Sequence, residues 1–262
     1  MSGFLRSWVS AGTEMQHPFD AAVVMPSIVR PEIAQALRSI FAQDLNGRIQ
    51  VLIGLDQLGD IAPIERACEE RPDNCVVQVF WPGYSTSVRH GGLALARDGG
   101  ALRTMLSYMA NSPYIAYLDD DNWWRADHLR LLYGLMQQAD WAFSLRWFVH
   151  PQSRQTVCVD EWESVGPGRG IFQERFNGFV DPNTLMLNKV ACADVLPCWT
   201  QPLPRDPVGM SADRVVFDNL MRRYRGAGSG EATSFYAMNP NDGLHEPRKA
   251  RMGPAYQLAG QS

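Results

Sequence analysis

Three consecutive carboxylates, Asp119-Asp120-Asp121, follow the apolar run Tyr114-Ile115-Ala116-Tyr117-Leu118 and precede Asn122-Trp123-Trp124. Adjacent anions repel one another, so protonation, water or a cation must relieve them. Carboxylate oxygens suit hard divalent cations such as Mg2+ or Mn2+. In an extended chain Asp119 and Asp121 point one way and Asp120 the other. Their α-carbons then lie roughly 7 Å apart, so one ion shared by both requires the chain to bend. The plainer reading is an acidic turn leading into a capped helix. Position favours chemistry, because the triplet ends a candidate central strand, where open α/β sheets place ligands.

The elements that must hold this triplet are legible as alternating units. Ala21–Met25 is a strand candidate stopped by Pro26, and Pro31 opens a helix in which Ile33, Leu37, Ile40 and Phe41 recur at helical spacing. Ile49–Leu55 is a second strand, ending in the acid Asp56, and a short helix follows around Pro63–Glu70. Val76–Phe80 is a third strand, and a helix near Leu102–Ala110 precedes the fourth, the run before the triplet. This β-α-β-α-β-α-β order predicts a doubly wound, mostly parallel sheet flanked by helices. Asp127 is placed to cap a helix through Met136, and Trp141–His150 pairs with Thr156–Val159 around a turn. Residues 160–180 read as a Gly-rich loop carrying Arg169 and Arg175, Asn183–Asn188 as a short strand, and Asp213–Arg225 as a helix. Residues 1–19 read as an extension, and residues 226–262 as a loop-like tail.

Composition narrows the function classes. The chain has 262 residues, 45% hydrophobic and 20% charged, as in ordinary globular proteins. A net charge of −4 gives no general attraction to nucleic acid or anionic membrane. The apolar runs fall short of the roughly 20 residues a membrane helix needs, and residues 1–16 lack the core of a secretion signal. Five dispersed cysteines without CxxC spacing read as reduced thiols, and these features together point to the cytoplasm.

The ordered set of Pro26-Ser27 before an Arg-Pro-Glu helix start, a second strand ending in Asp56, and Leu-Asp-Asp-Asp-Asn-Trp-Trp after the fourth strand resembles the family 2 glycosyltransferases. That resemblance runs from about residue 21 to 135 and weakens over 181–225. It implies the GT-A fold, with a Rossmann-like sheet and a smaller mixed or antiparallel acceptor-side portion. It implies one domain over 20–225, with a nucleotide-sugar half (20–135) and an acceptor half (136–225); the Gly-rich loop and the tail, residues 226–262, are candidates to close over a donor and exclude water. It also implies a nucleoside diphosphate-sugar donor, a hydroxyl acceptor and an inverting, metal-dependent transfer.

Asp119-Asp120-Asp121 looks like the family's DxD motif, so Asp119 and Asp120 are expected on the nucleotide-sugar, and Asp119 and Asp121 on Mn2+ or Mg2+. Pro26, Ser27 and Arg30 match the loop that lies along the nucleoside, and Asp56 matches the acid that accepts a hydrogen bond from the base. Arg97 and Arg103 are the diphosphate candidates, although Arg103-Thr104 stands where the family often has Arg-Asn. Asp213 resembles the catalytic base, but Ala212 occupies the position of a common glutamate. His245 is the candidate third metal ligand from the C-terminal region. Two alternatives stand beside the transferase: a non-catalytic nucleotide- or glycan-binding relative, and a nucleotidyltransferase. The second lacks a Gly-rich, Lys-bearing phosphate loop after the first strand.

Overall fold

The structure, a computed structural model, describes residues 2–96, 99–201 and 212–261. In chain order the strands and helices begin with β1 (Phe4–Trp8), β2 (Ala21–Ser27), α1 (Ile33–Phe41), β3 (Ile49–Leu55), α2 (Ala62–Glu69), β4 (Cys75–Trp81), α3 (Gly100–Met109), β5 (Tyr114–Tyr117), β6 (Trp123–Trp124) and α4 (His128–Leu135). They continue with β7 (Trp141–Val149), β8 (Thr156–Val159), β9 (Gly166–Pro167), α5 (Gln173–Phe176), β10 (Gly178–Phe179), β11 (Leu185–Asn188), α6 (Ala212–Arg223), β12 (Gly226–Ala237), α7 (His245–Met252) and α8 (Pro254–Gly260).

The main sheet runs β1-β4-β3-β2-β5-β11-β7-β12-β6, with β8 attached to β7. β4, β3, β2 and β5 are mutually parallel, as the β-α-β alternation requires. Every residue of β2 and β3 is buried, which is what a strand covered on both faces needs. Side-chain alternation then sorts each strand between two cores. Ala21, Val23 and Met25 pack with α1, α2 and α4, whereas Ala22 and Val24 pack with α3, α6 and Trp199. Beyond β5 the pairing becomes mixed: β11 is antiparallel to both β5 and β7, and β12 is parallel to β7. The expected α/β sheet with a mixed portion on one side is what the chain forms.

Three local expectations change. The N-terminal stretch supplies β1, which lies antiparallel on the edge strand β4. The loop-like reading of the tail is overturned over its first twelve residues, because Gly226–Ala237 is a sheet strand between β7 and β6. Glycines and small polar residues dominate its sequence, so no alternation marked it as a strand. Farther on, α7 is fastened by Arg248, which donates to Glu163 from Nε and Nη2, both at 2.8 Å. Asp127 stands at the start of α4 but makes no capping hydrogen bond; its carboxylate is taken by Arg125. Among the described residues no helix is long and apolar enough to cross a membrane.

Candidate active site

The carboxyl ends of β2, β3 and β5 meet the start of α3 around an open cavity of about 210 Å3. It is lined by Pro26, Ser27, Arg30, Asp56, Arg103, Asp119 and Asp121, with Arg89, His90 and Gly99 completing the wall. Seven of the residues expected from the sequence are thus brought together. The position is the one doubly wound sheets reserve for ligands.

The loop after β2 is strained and held from below. Val29, a β-branched residue, has φ of 61°, a conformation that costs of order 1–3 kcal/mol. Its N–H donates to Ser27 Oγ at 2.8 Å. Asp120 accepts from Ser27 Oγ at 2.6 Å, from the Ile28 N–H at 3.1 Å and from the Arg30 guanidinium. Asp120 has no exposed surface and does not line the cavity. It faces inward from the turn that follows β5, which is closed by the Asn122 N–H donating to the Asp119 carbonyl at 3.2 Å, and it clamps the loop instead of offering a surface to the cavity.

Asp56 begins where β3 ends, its N–H donating to the Ser27 carbonyl at 2.8 Å. Its carboxylate accepts from Ser85 Oγ at 2.7 Å, Thr86 N at 2.8 Å and Thr86 Oγ1 at 2.6 Å. An ionised carboxylate has about four lone-pair sites, so Asp56 orders the loop after β4 and keeps capacity for one more donor. Arg103, on α3, pairs with Asp119 and lies 5.3 Å over the Trp199 ring. Gly99, just before α3, has φ of 72°, and a Cβ there would stand 2.5 Å from Pro26 Cβ. Only glycine lets α3 start this close to the cavity floor.

Asp121 is the carboxylate least committed within the protein. Its side chain is one-third exposed, and its nearest cation, Arg30 Nη1, is 3.7 Å away. Burial, with Asp119 and Asp120 adding to it against Arg30, pushes its pKa up to about 7. A carboxylate that half-protonates near neutrality is one that a cation would relieve. Mg2+ is commonly held by one or two carboxylates plus substrate phosphates. Asp121 fits that role, with Asp119 beside it.

His245 does not join them. It is buried at the start of α7, its Nε2 3.3 Å from Tyr256 Oη, and it is absent from the cavity wall. Among the described residues no group of three His, Cys, Asp or Glu side chains converges as a metal site. The His245 Nδ1 is buried without a hydrogen-bond partner, so the ring keeps one nitrogen uncommitted, away from the cavity wall. Arg97 lies outside the described residues.

Asp213 sits in the first turn of α6, half-buried, and does not line the cavity. Burial, together with nearby Asp181, lifts its pKa to about 6 against the pull of Arg214 and Arg103. It therefore lies within electrostatic reach of the arginine that holds Asp119. Arg214 is stacked between Phe172 and Phe179, at 3.8 and 3.7 Å from their ring centroids. A second open cavity, about 460 Å3, is lined by Leu145, Glu161, Val165, Arg169 and Gln173 among others. Of the two tryptophans after the triplet, Trp124 is core, stacked on His128 at 4.3 Å. Trp123 stacks on Phe235.

Sequence reasoning missed Asn183, Arg89 and the Ser85-Thr86 pair, which stand in loops without a motif. It also missed a buried ion cluster. Arg146 donates to Asp160 at 2.8 Å, Glu163 at 2.8 Å and Asp181 at 2.5 Å, and Glu163 is shared with Arg248.

No protein-family model matches this chain, and no curated protein sequence matches it. Its fold is similar to that of S. aureus TarS, with TM-score 0.60 and 12% identity over 93% of this chain and 44% of that one. It is also similar to TarS 1–349 in complex with UDP, with TM-score 0.59 and 14% identity over 91% and 70% of the two chains. The mannosyltransferase PcManGT from Pyrobaculum calidifontis, in complex with GDP-Man and Mn2+, matches with TM-score 0.55 and 14% identity over 90% and 61%. This chain thus spans less than half of the longer TarS chain. At such identities the likeness is one of fold, and the fold is that of the GT-A glycosyltransferases.

Proposed function

We propose that this protein transfers a sugar from a nucleoside diphosphate-sugar to a hydroxyl acceptor with inversion, using a divalent cation, Mn2+ or Mg2+. The observation that carries the reading is the single cavity in which the β2 loop, Asp56, Arg103, Asp119 and Asp121 meet at the carboxyl ends of three parallel strands. Complexes of the fold neighbours with UDP, UDP-GlcNAc and GDP-Man support the class of donor.

On this reading Pro26, Ser27 and Asp56 hold the nucleoside. Arg30 and Arg103 face the diphosphate, since guanidinium pairs phosphate oxygens bidentately. A divalent cation at Asp121 and Asp119 would supply further positive charge to the leaving diphosphate. Asp213 takes the proton of the acceptor hydroxyl, whose oxygen bonds the anomeric carbon as the bond to phosphate breaks. A base whose pKa is raised toward neutrality is a better proton acceptor than an ordinary aspartate and is still mostly ionised at pH 7. The second cavity offers an apolar floor (Leu145, Val165) with Glu161, Arg169 and Gln173 at its rim, a composition suited to a polyhydroxylated acceptor.

Thermal shift with UDP, GDP and dTDP, with and without Mn2+, tests the donor half. One of them is expected to stabilise the protein, and more so with metal; no response to any would end the proposal. One observation favours the non-catalytic alternative: Arg30 and Arg103 already neutralise Asp120 and Asp119, which suffices for binding alone. Slow hydrolysis of a bound nucleotide-sugar separates the two, because a binder releases no free sugar.

A further inference from the structure

Asn183 stands in the short turn Pro182–Thr184 just before β11 and is 1% exposed. Its Oδ1 accepts from the Asp119 N–H at 2.6 Å, and its Nδ2 donates to Asp119 Oδ2 at 3.0 Å. The same Nδ2 donates to Asp181 Oδ1 at 2.8 Å, and the Asn183 N–H donates to that oxygen at 2.8 Å. Its carbonyl accepts from Trp124 Nε1 at 2.8 Å. The amide orientation follows from these partners. A flipped amide would set Nδ2 against the Asp119 N–H and Oδ1 between two carboxylates.

Only an amide serves here. It presents an acceptor to a backbone N–H and a donor to two carboxylates at once. An acid in its place would put three carboxylates together in a buried region, where like charges are costly. Asn183 thereby grips Asp119 at both main chain and side chain, and leaves Asp119 Oδ1 on Arg103. Behind it, Asp181 Oδ2 is held by Arg146 at 2.5 Å, within the cluster that includes Asp160 and Glu163. A chain of polar contacts thus runs from the cavity wall to the fully buried Arg146.

We propose that Asn183 is a positioning residue for donor binding: it locks the Asp119 carboxylate in the arrangement that aims Arg103 at the diphosphate, and takes its own rigidity from Asp181 and Arg146. This rests on the nucleotide-sugar reading. Asn183 touches neither donor nor acceptor; it acts through Asp119.

The test is a double-mutant cycle read by calorimetry with UDP, GDP and dTDP. Asn183→Ala is expected to weaken binding of whichever nucleotide the wild type takes by about 10- to 100-fold, the size of hydrogen bonds to charged groups. If Asn183 works through Arg103, the double variant with Arg103→Ala binds no more weakly than Arg103→Ala alone. A structural defect would instead add its loss to that of Arg103→Ala, and additive losses, or no loss, overturn the inference. Asn183→Ser, which removes the Nδ2 donor to both carboxylates without adding a charge, replaces the alanine variant should that fail to fold, and the same loss is expected. Ser112→Ala, which removes a buried hydroxyl that bonds the Tyr114 backbone at the other end of β5, is the control and is expected to bind as wild type. Were the wild type to bind none of UDP, GDP and dTDP, the donor reading falls. A crystal structure of the same variant then decides the inference: Asp119 turned away from Arg103 supports it, and Asp119 still on Arg103 overturns it.

Discussion

Arg30 and Asp120, ninety positions apart, form an ion pair beneath the cavity, with Asp120 wholly buried and Arg30 half in solvent. The pair joins the loop after β2 to the turn after β5, two segments that border the cavity. It also divides the work of the triplet. Asp120 holds the loop, Asp119 is gripped by Asn183 and Arg103, and Asp121 is left for a ligand or cation.

Arg30→Ala removes the charged partner of Asp120 but leaves Ser27 Oγ and the Ile28 N–H in place. The expected loss of stability is about 1–3 kcal/mol, read as a lower urea midpoint with an unchanged slope. Nucleotide binding is expected to fall with it, since Arg30 is also part of the cavity wall.

The metal-free protein carries a penalty at Asp121 that depends on pH. Its pKa is raised from 3.8 to about 7 on folding, by burial above all. The unfolded chain therefore loses this proton first, and folding is disfavoured progressively as pH rises from about 4 to 7. Asp121→Asn removes that term. The variant is expected to melt higher than wild type at pH 8 without metal, and the gap closes toward pH 4. The same variant is expected to lose the metal-dependent part of nucleotide stabilisation. A variant that responds to Mn2+ like wild type would rule out Asp121 as the cation's carboxylate.

Asp213→Asn is expected to leave nucleotide binding unchanged and to lower transfer by about 100-fold or more. The wild-type rate is expected to rise with pH through about 6, where Asp213 ionises, and the variant's residual rate to lack that step. Stability gives an independent reading. Because the folded-state pKa is the higher one, wild type loses stability relative to Asp213→Asn between about pH 4 and 6.

Arg146→Met tests the cluster behind the site. It leaves Asp160, Glu163 and Asp181 buried without their shared cation. Breaking such a cluster from one side is expected to cost about 3–5 kcal/mol, enough to unfold a marginal domain. The measurement is chemical denaturation, and a change below 1 kcal/mol would show that solvent reaches these carboxylates.

The sequence alone determined the parallel half of the molecule and the floor of its site. Strands β2, β3, β4 and β5 carry largely apolar runs because both their faces are covered, and Asp56 and the Asp119–Asp121 triplet stand where two such runs stop. Those are local signals, complete within a dozen residues. The chain bends directly after β5, in a turn closed by the Asn122 N–H on the Asp119 carbonyl, so the directions of the three carboxylates were not set by strand alternation. Tertiary structure alone decided which partners those carboxylates meet. Asn183, Arg146 and the glycine-rich strand β12 carry no periodicity of their own, and they matter through contacts with residues dozens of positions away. It also placed His245, expected at the cavity from resemblance, at the start of α7 with Nε2 3.3 Å from Tyr256 Oη. Pairings of that kind depend on which loops the sheet order brings side by side, a property of the folded chain that no stretch of residues states by itself.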